Sequence, residues 1–290
     1  MSAYQLHRDV PTLDRPVLVV MLTGWVDASG AGAAAVAAVN AACNTELLAT
    51  FDGDAFIDYR ARRPTMELRE GVNSRLEWGD IQLRVGADPK GTAVLTLVGP
   101  EPDSQWRRFA ASVAELATQL GVYQTISLGA YPFATPHSRT SRISITSPSA
   151  DVVASLPFIK STLDVPAGMS SVLEHAFTEA GIASVGLWVQ VPHYVSAMSY
   201  PGASVALLDA MRSVTGVDIP VGSLARDADI QRSRIDQLVD ANDDHGAMVR
   251  QLEAAYDLAG DDESAMGGAP LPSGDEIAAE FERFLREQEG

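Results

Sequence analysis

Four ionisable side chains occupy positions where they could transfer protons or bind a polar ligand. Asp27, Glu101, His137 and His193 each follow an apolar run that predicts a buried strand. Carboxylates and imidazoles at a strand end are suited to general acid–base catalysis. These four residues are therefore the candidate acid–base or substrate-binding groups, and the question is whether the surrounding sequence supports catalysis.

The residues around them do not complete a known catalytic set. His137 and Ser138 are adjacent on an extended loop, where neighbouring side chains point in opposite directions and rarely form a nucleophile–base pair. The segment from Gly168 to Val172 lacks the last glycine of a nucleophile elbow. The five histidines show no metal-ligand spacing, and no phosphate-binding motif occurs. We expect no metal and no cofactor, and we interpret His137 as a hydrogen-bonded loop histidine.

The first of these residues belongs to the best-defined element of the chain. The apolar, β-branched run from Val17 to Thr23 predicts a strand buried on both faces, as in parallel sheets. A loop beginning at Gly24 follows, and an alanine-rich segment up to Ala42 predicts a helix packed on the same sheet. This order is the first half of a βαβ unit, and its loop lies where open α/β sheets place their sites.

The small residues that open this helix also match a relaxed dinucleotide-binding fingerprint, with Asp52 as the ribose-binding acid. In that fingerprint the first glycine follows the strand directly, so that the pyrophosphate meets the helix N-terminus. Here six residues, including the bulky Trp25, separate Gly24 from Ala31. We favour the interpretation that the small residues let helix and sheet approach closely.

The following sequence alternates predicted strands and helices. Strands are expected at 46–51, 93–98, 125–129, 142–147 and 182–191, and helices at 106–120, 170–180 and 203–214. Together with the first unit, this pattern predicts a three-layer α/β/α fold with a mostly parallel or mixed sheet and helices on both faces.

Three local features of this region carry more specific predictions. Gly79-Asp80 predicts the turn of a hairpin between residues 73–78 and 81–85. Asp103 or Ser104 is expected to cap the next helix, with Glu101 beside its positive end. The stretch 52–71 has no clean period, and it predicts an irregular, arginine-bearing loop.

Three loops are expected to meet at the carboxyl edge of the sheet, because parallel strands end on the same side. They are residues 24–30, 131–139 and 192–200. The candidate ligand or partner edge is formed by Gly24, Trp25, Asp27, Gly30, Glu101, Tyr131, Pro136, His137, Arg139, His193 and Tyr194.

Composition limits the class of protein. Of 290 residues, 46% are hydrophobic and 20% charged, as in globular proteins, and no long apolar run predicts a membrane span. The net charge of -17 disfavours nucleic-acid binding, which needs clustered lysine and arginine. The N-terminal segment lacks a signal-peptide pattern, and the lone Cys43 forms no internal disulfide. We expect a cytoplasmic protein.

The acidic charge is concentrated at the C-terminal end. Residues 224–290 carry 17 acids and six bases. We predict a core domain at 1–222 and an acidic helical extension at 223–290. The extension comprises two amphipathic helices, a linker at 260–274 and a terminal helix from Asp275 to Gln288.

Four ordered segments resemble the proteasome assembly chaperone 2 family, as a bacterial member of the actinobacterial type. They are Gly24-Trp25-Val26-Asp27-Ala28; Gly99-Pro100-Glu101-Pro102 with Trp106; Leu128 to Pro132 with Pro136 to Arg139; and Val191 to Tyr194 with Pro201. The resemblance spans residues 17 to about 211, which is most of the chain.

The resemblance implies a phosphorylase/hydrolase-like fold, a homo-oligomer with a trimer favoured, and a non-enzymatic assembly role with proteasome subunits as candidate partners. Eukaryotic members act through their own C-terminal tails. Residues 286–290 of this chain lack the hydrophobic-tyrosine terminus of those tails, so we do not expect the same insertion into the proteasome. The alternative is a phosphorylase- or hydrolase-like enzyme, or a small-ligand binder, that uses the strand-end loops.

Overall fold

The computed structural model describes residues 3–259, and within them the chain forms ten strands, eight α-helices and two short 3-10 helices, Ala28–Gly30 and His193–Val195. The strands are β1 Tyr4–Leu6, β2 Val17–Thr23, β3 Glu46–Phe51, β4 Thr65–Arg69, β5 Val72–Glu77, β6 Gln82–Ala87, β7 Ala93–Pro100, β8 Gln124–Phe133, β9 Ile143–Thr146 and β10 Ala183–Pro192. The helices are α1 Ala31–Ala42, α2 Gly53–Phe56, α3 Trp106–Gln119, α4 Ala150–Ser155, α5 Met169–Glu179, α6 Pro201–Thr215, α7 Gly222–Asp240 and α8 Asp243–Ala259.

Eight strands form one mixed sheet in the order β1-β3-β6-β7-β2-β8-β10-β9. The four central strands, β7, β2, β8 and β10, run parallel, and the outer strands pair antiparallel. The central strands therefore end on one edge, which is where the candidate residues lie. The predicted mixed α/β sheet is confirmed.

The alternation of side chains along β2 explains the three layers. Val17, Val19 and Met21 face a core shared with α1 and α6, whereas Leu18 and Val20 face a core shared with α3 and α5. All five residues are buried, because a parallel central strand is covered by helices on both faces. The predicted helices on both faces are confirmed.

The prediction of a hairpin at Gly79-Asp80 is wrong. β5 instead pairs with β4, and the turn is Glu70-Gly71, where both residues have positive φ (48° and 84°) as in a type I′ turn. β6 leaves this hairpin and pairs with β3 and β7 in the main sheet. The stretch predicted as an irregular loop accordingly contains α2 and β4.

The acidic C-terminal region continues directly from the core as α7 and α8. Of the described residues of these two helices, Ile235 and Val249 are the buried ones. Ile235 belongs to the core that also contains α6. The predicted linker at 260–274 and the terminal helix at 275–288 lie outside the described residues.

Candidate functional site

The three strand-end loops meet because β2, β8 and β10 are neighbours. A parallel bridge joins Asp27 to Ala130, and the backbone N–H of Ser29 donates to the carbonyl of Ser196 at 2.7 Å. These bonds link the loop after β2 both to β8 and to the loop after β10. The loops therefore pack against one another.

Asp27 caps the helix that follows its loop. Its carboxylate accepts hydrogen bonds from the backbone N–H groups of Gly32 at 2.8 Å and Ala33 at 3.1 Å. Burial raises the pKa of this carboxyl, and the two backbone donors partly oppose that shift. Gly30, at the N-cap of α1, has a φ of 66°. The arrangement uses both carboxylate oxygens for helix capping.

Gly24 and Trp25 each lie against a residue from a distant part of the sequence, Arg62 and Gly168, respectively. Gly24 has a φ of 115°, and a Cβ placed there would come within 2.8 Å of the Arg62 guanidinium. Trp25 lies against Gly168, where an added Cβ would come within 2.7 Å of the indole ring. Trp25 remains 44% exposed, so this part of the edge presents apolar surface to solvent.

Glu101 forms a hydrogen bond with the start of α5 and not with α3, the helix that follows it in the sequence. Its buried carboxylate accepts a hydrogen bond from the backbone N–H of Met169, at the start of α5. The prediction that it sits beside the start of α3 is wrong. The expected caps of α3 are also wrong, because its N-cap is Gln105, whereas Asp103 pairs with Arg62 at 3.0 Å.

His137 is held between the core and α7. The Tyr194 hydroxyl accepts from the His137 backbone N–H at 2.8 Å and contacts the His137 Nδ1 at 2.6 Å, while Nε2 lies 3.0 Å from an Asp236 carboxylate oxygen. In the neutral imidazole this geometry places the proton on Nε2, which donates to Asp236, so that Tyr194 donates to Nδ1. Burial raises the pKa of Tyr194. Both ring nitrogens of His137 therefore have a hydrogen-bond partner within the chain.

The next two residues bind α8. The Ser138 hydroxyl donates to Glu253 at 2.5 Å, and the Arg139 guanidinium forms a bidentate pair with Asp257 at 2.8 and 2.9 Å. Arg139 also contacts Glu253 at 3.2 Å. The Arg139 guanidinium lowers the pKa of Asp257. The loop after β8 is thus a docking point for the acidic extension.

The remaining candidates complete the same packing. The Tyr131 hydroxyl bonds to Ser144 at 2.6 Å and accepts from the Gln190 amide at 3.1 Å, and Pro136 is buried. His193 is exposed, with its ring edge-to-face on Tyr194 at 5.3 Å. In the described part of the chain, Asp27 and His137 share no hydrogen bond. The edge thus holds two groups of residues, around Trp25 and around His137.

The space left near Trp25 is small. A cavity of about 20 Å³ lies among Trp25, Glu101, Met169 and Trp188, and it has room for about one water molecule. A drug-sized or nucleotide-sized ligand needs roughly 300 Å³ or more. This cavity therefore does not provide the substrate-binding site that an enzymatic use of these residues would need.

Comparison with known proteins identifies the family. The model of the PAC2 family matches residues 21–239, which is most of the chain. The chain belongs to the PAC2 family. The matched range includes all the candidate edge residues and ends in α7, so the PAC2 region contains both groups around Trp25 and His137. Among curated proteins, none matches the chain at a significant level.

Solved structures of other proteins agree with this membership. A PAC2 family protein from Streptomyces avermitilis is 32% identical, with a TM-score of 0.72 over 81% of this chain and 99% of that one. A proteasome-assembly chaperone homologue from Mycobacterium tuberculosis is 29% identical, with a TM-score of 0.75 over 80% and 99%. An M. tuberculosis protein of unknown function is 34% identical, with a TM-score of 0.81 over 98% and 92%.

Sequence reasoning missed the acidic residues that contact this PAC2 edge although they lie far from it in the sequence. Asp236, Glu253 and Asp257 were not singled out, although the i, i+4 spacing of the last two places them on one helix face. It also missed Glu174, a buried carboxyl on α5 that accepts from Ser127 at 2.9 Å and Thr146 at 3.1 Å. Burial raises the pKa of Glu174.

Two further observations on this PAC2 structure concern metal ligands and the single thiol. Among residues 3–259, no three His, Cys, Asp or Glu side chains are grouped closely enough to hold a metal ion. Cys43 is buried, and burial together with Asp88 raises its thiol pKa to about 11, so the thiol is protonated at neutral pH. Within the same residues, no helix has the length and apolar character of a membrane span.

Proposed function

We propose that the chain acts without catalysis, as a protein-assembly factor whose client is a proteasome subunit or a subassembly of proteasome subunits. The observation that carries this proposal is membership of the PAC2 family, together with the similarity to a protein described as a proteasome-assembly chaperone homologue. Cytoplasmic location and self-association belong to the same proposal.

The geometry of the edge supports protein binding over small-molecule turnover. Asp27, Glu101 and His137, which could have acted as acids or bases, are engaged by the backbone or by α7. Two of the exposed side chains at this edge are large and apolar, because Trp25 and Val26 are both at least 39% exposed. Half-exposed aromatic residues are frequent anchors of protein interfaces.

The test is a binding experiment with purified components. The full chain is mixed with proteasome α-subunits, β-subunits, or both, from the organism that encodes it, and complexes are measured by native mass spectrometry and interferometry. We expect a complex with at least one subunit type and a changed rate of ring assembly. The absence of both effects at tens of micromolar of each protein would overturn the proposal.

A pair of variants tests whether the edge is the binding surface. Trp25→Ala removes the exposed indole of the edge, and Leu258→Ala removes an 87%-exposed leucine of α8 as the matched control. We expect the first to weaken binding about tenfold or more, as for an interface anchor, and the second to leave it unchanged. Equal effects of the two, in variants that keep their melting temperatures, would exclude the edge.

A further inference from the structure

The helix α8 is attached to the rest of the chain by contacts that are largely polar. Of its described residues, Val249 is the buried one. Its C-terminal half meets residues 137–142, the segment after β8 that we call the basic loop. The side chains of Glu253 and Asp257, which pair with Arg139 of this loop, are 27% and 54% exposed. Partly exposed ion pairs stabilise a contact weakly, and segments held in this way open locally more readily than the core does. The basic loop is therefore accessible whenever α8 detaches.

The basic loop presents two guanidinium groups to α8. Arg139 forms the bidentate pair with Asp257 and also contacts Glu253. The Arg142 guanidinium lies 3.8 Å from the centre of the Tyr256 ring and donates to the Tyr256 carbonyl oxygen at 3.0 Å. Both carboxylates that pair with Arg139 thus come from α8, and so does the ring that covers Arg142. Detachment of α8 exposes two cationic groups that bind carboxylates and an aromatic ring.

The residues that α8 uses in this contact form one stripe along the helix. Starting from the buried valine, they occupy positions i, i+4, i+7 and i+8, which lie on the same face of a helix. They are Val249, Glu253, Tyr256 and Asp257. The planar fork of an arginine fixes the orientation of a carboxylate, and a guanidinium over an aromatic face adds a second requirement. The basic loop therefore recognises a helix with the spacing Glu-x-x-Tyr-Asp, and negative charge alone does not satisfy it.

The basic loop and α8 differ in their relation to the PAC2 region. The loop lies inside the matched range of residues 21–239, whereas α8 begins at Asp243, beyond its end. The intervening α7 has its own attachment to the core, through the buried Ile235 and through the contact of Asp236 with His137. α8 can therefore leave the loop while α7 stays in place. The loop is part of the region that defines the family, and the helix that covers it is not.

We propose that the basic loop is a binding site for an acidic helix with an aromatic residue in a partner protein, and that α8 occupies this site within the chain until the partner displaces it. α8 is then an internal competitor, and the dissociation constant measured for the partner is the intrinsic one divided by the fraction of chains whose loop is free. Because α8 belongs to the same chain, its effective concentration at the loop is high. The inference concerns the chemistry of the bound helix and does not depend on the partner being a proteasome subunit.

The first test measures binding of a synthetic helix to the full chain. The probe is a fluorescein-labelled peptide rich in alanine and glutamine that carries Val, Glu, Tyr and Asp at the spacing of the α8 stripe. A comparison peptide has Gln and Asn in place of the two acids. The double variant Glu253→Gln, Asp257→Asn weakens the attachment of α8 and leaves the basic loop intact. By fluorescence anisotropy at low salt, we expect this variant to bind the probe about tenfold or more tightly than the wild type, because more chains have a free loop. We expect no binding of the comparison peptide.

Two control variants and one independent readout make this test decisive. Asp227→Asn, Asp229→Asn removes two exposed carboxylates from α7 and should bind the probe as the wild type does. Adding Arg139→Ala to the α8 variant should abolish binding. Hydrogen exchange of α8 should be faster in the α8 variant and normal in the α7 variant. Normal exchange in the α8 variant would show that these charges do not hold the helix. Faster exchange without probe binding, or binding that survives Arg139→Ala, would show that the loop is not the site. Each of these results overturns the proposal.

The second test determines whether α8 covers the loop of its own chain. The hydroxyl of Ser138 donates to Glu253, so Ser138→Cys combined with Glu253→Cys places two thiols close together, while the buried Cys43 does not react. With a short bismaleimide, we expect a link within one chain, seen as an unchanged mass on denaturing gels, and a locked chain that no longer binds the probe. A link between two chains would assign the site to α8 of a second copy and overturn the proposal, as would probe binding that survives the lock. Because no proteasome subunit is present, failure here leaves the client proposal standing.

Discussion

Removal of one hydroxyl group tests whether the edge is a structural junction. Tyr194→Phe keeps the ring but deletes the oxygen that accepts from the buried His137 backbone N–H and contacts Nδ1 at 2.6 Å. Two polar groups of a residue that is 3% exposed would then lack partners. If the junction holds α7 on the core, this substitution must lower the free energy of unfolding measurably.

The magnitude follows from the cost of an unsatisfied buried group, about 1–3 kcal/mol each. Because the ring can relax, we expect a total loss of about 2–4 kcal/mol. For a domain of this size, each kcal/mol lowers the melting temperature by about 2–4 °C, so the expected decrease is roughly 5–15 °C. The Asp236→Asn variant retains an acceptor for the Nε2–H and should lose less than about 1 kcal/mol.

The assay is urea unfolding with an unchanged m-value, supported by hydrogen exchange of α7. Tyr123→Phe is the matched control, because its hydroxyl has only a 3.5 Å contact with the carbonyl of Thr215. We expect α7 amides to exchange faster in Tyr194→Phe and at the normal rate in the control. If the free energy of unfolding falls by less than about 0.5 kcal/mol, or by the same amount in both variants, the Tyr194 hydroxyl does not hold α7 on the core.

Three further predictions concern single side chains of the edge. Burial raises the folded-state pKa of Asp27 above 3.8, so the stability contributed by the Asp27 carboxyl is fully present below that pH and is lost as pH rises through the folded pKa. The unfolding free energy of the wild type minus that of Asp27→Asn should therefore fall between pH 4 and 7. A difference that stays flat or rises in urea titrations contradicts this. Arg139→Ala should leave the free energy of unfolding almost unchanged, since the ion pair is partly exposed. It should nevertheless increase hydrogen exchange in α8, an effect that 1 M salt should mimic and Arg8→Ala should not. Glu101→Ala should cost about 1–3 kcal/mol by leaving the Met169 N–H unpaired, whereas Glu101→Gln should stay near the wild type in thermal unfolding.

The sequence predicted the elements whose signal is local. The strand from Val17 to Thr23 has the predicted bounds, because a continuous β-branched run between turn residues leaves one interpretation. The helix up to Ala42 also begins and ends as expected. The order of buried strands and helices was sufficient for the α/β class, since each buried strand requires helices on both faces.

The sequence did not reveal what depends on distant partners. Glu70 adopts the left-handed conformation of a type I′ turn, which glutamate rarely signals, so the hairpin was placed around the more typical Gly79-Asp80 dipeptide. Glu101 caps a helix that starts 68 residues later. Asp236 and Glu253 lie 99 and 115 residues from the loop residues that they contact. Local spacing carries no information on such contacts.

The junction also constrains any ligand-binding use of His137. A ligand that reaches either ring nitrogen must displace Tyr194 or Asp236, and displacing Asp236 loosens the attachment of α7 to the core. Binding at His137 would therefore be linked to release of the extension, and by reciprocity a ligand would increase hydrogen exchange in α7 and α8. A ligand that raises the melting temperature without that increase must bind elsewhere. The alternative of an enzyme acting through His137 thus requires an opened extension.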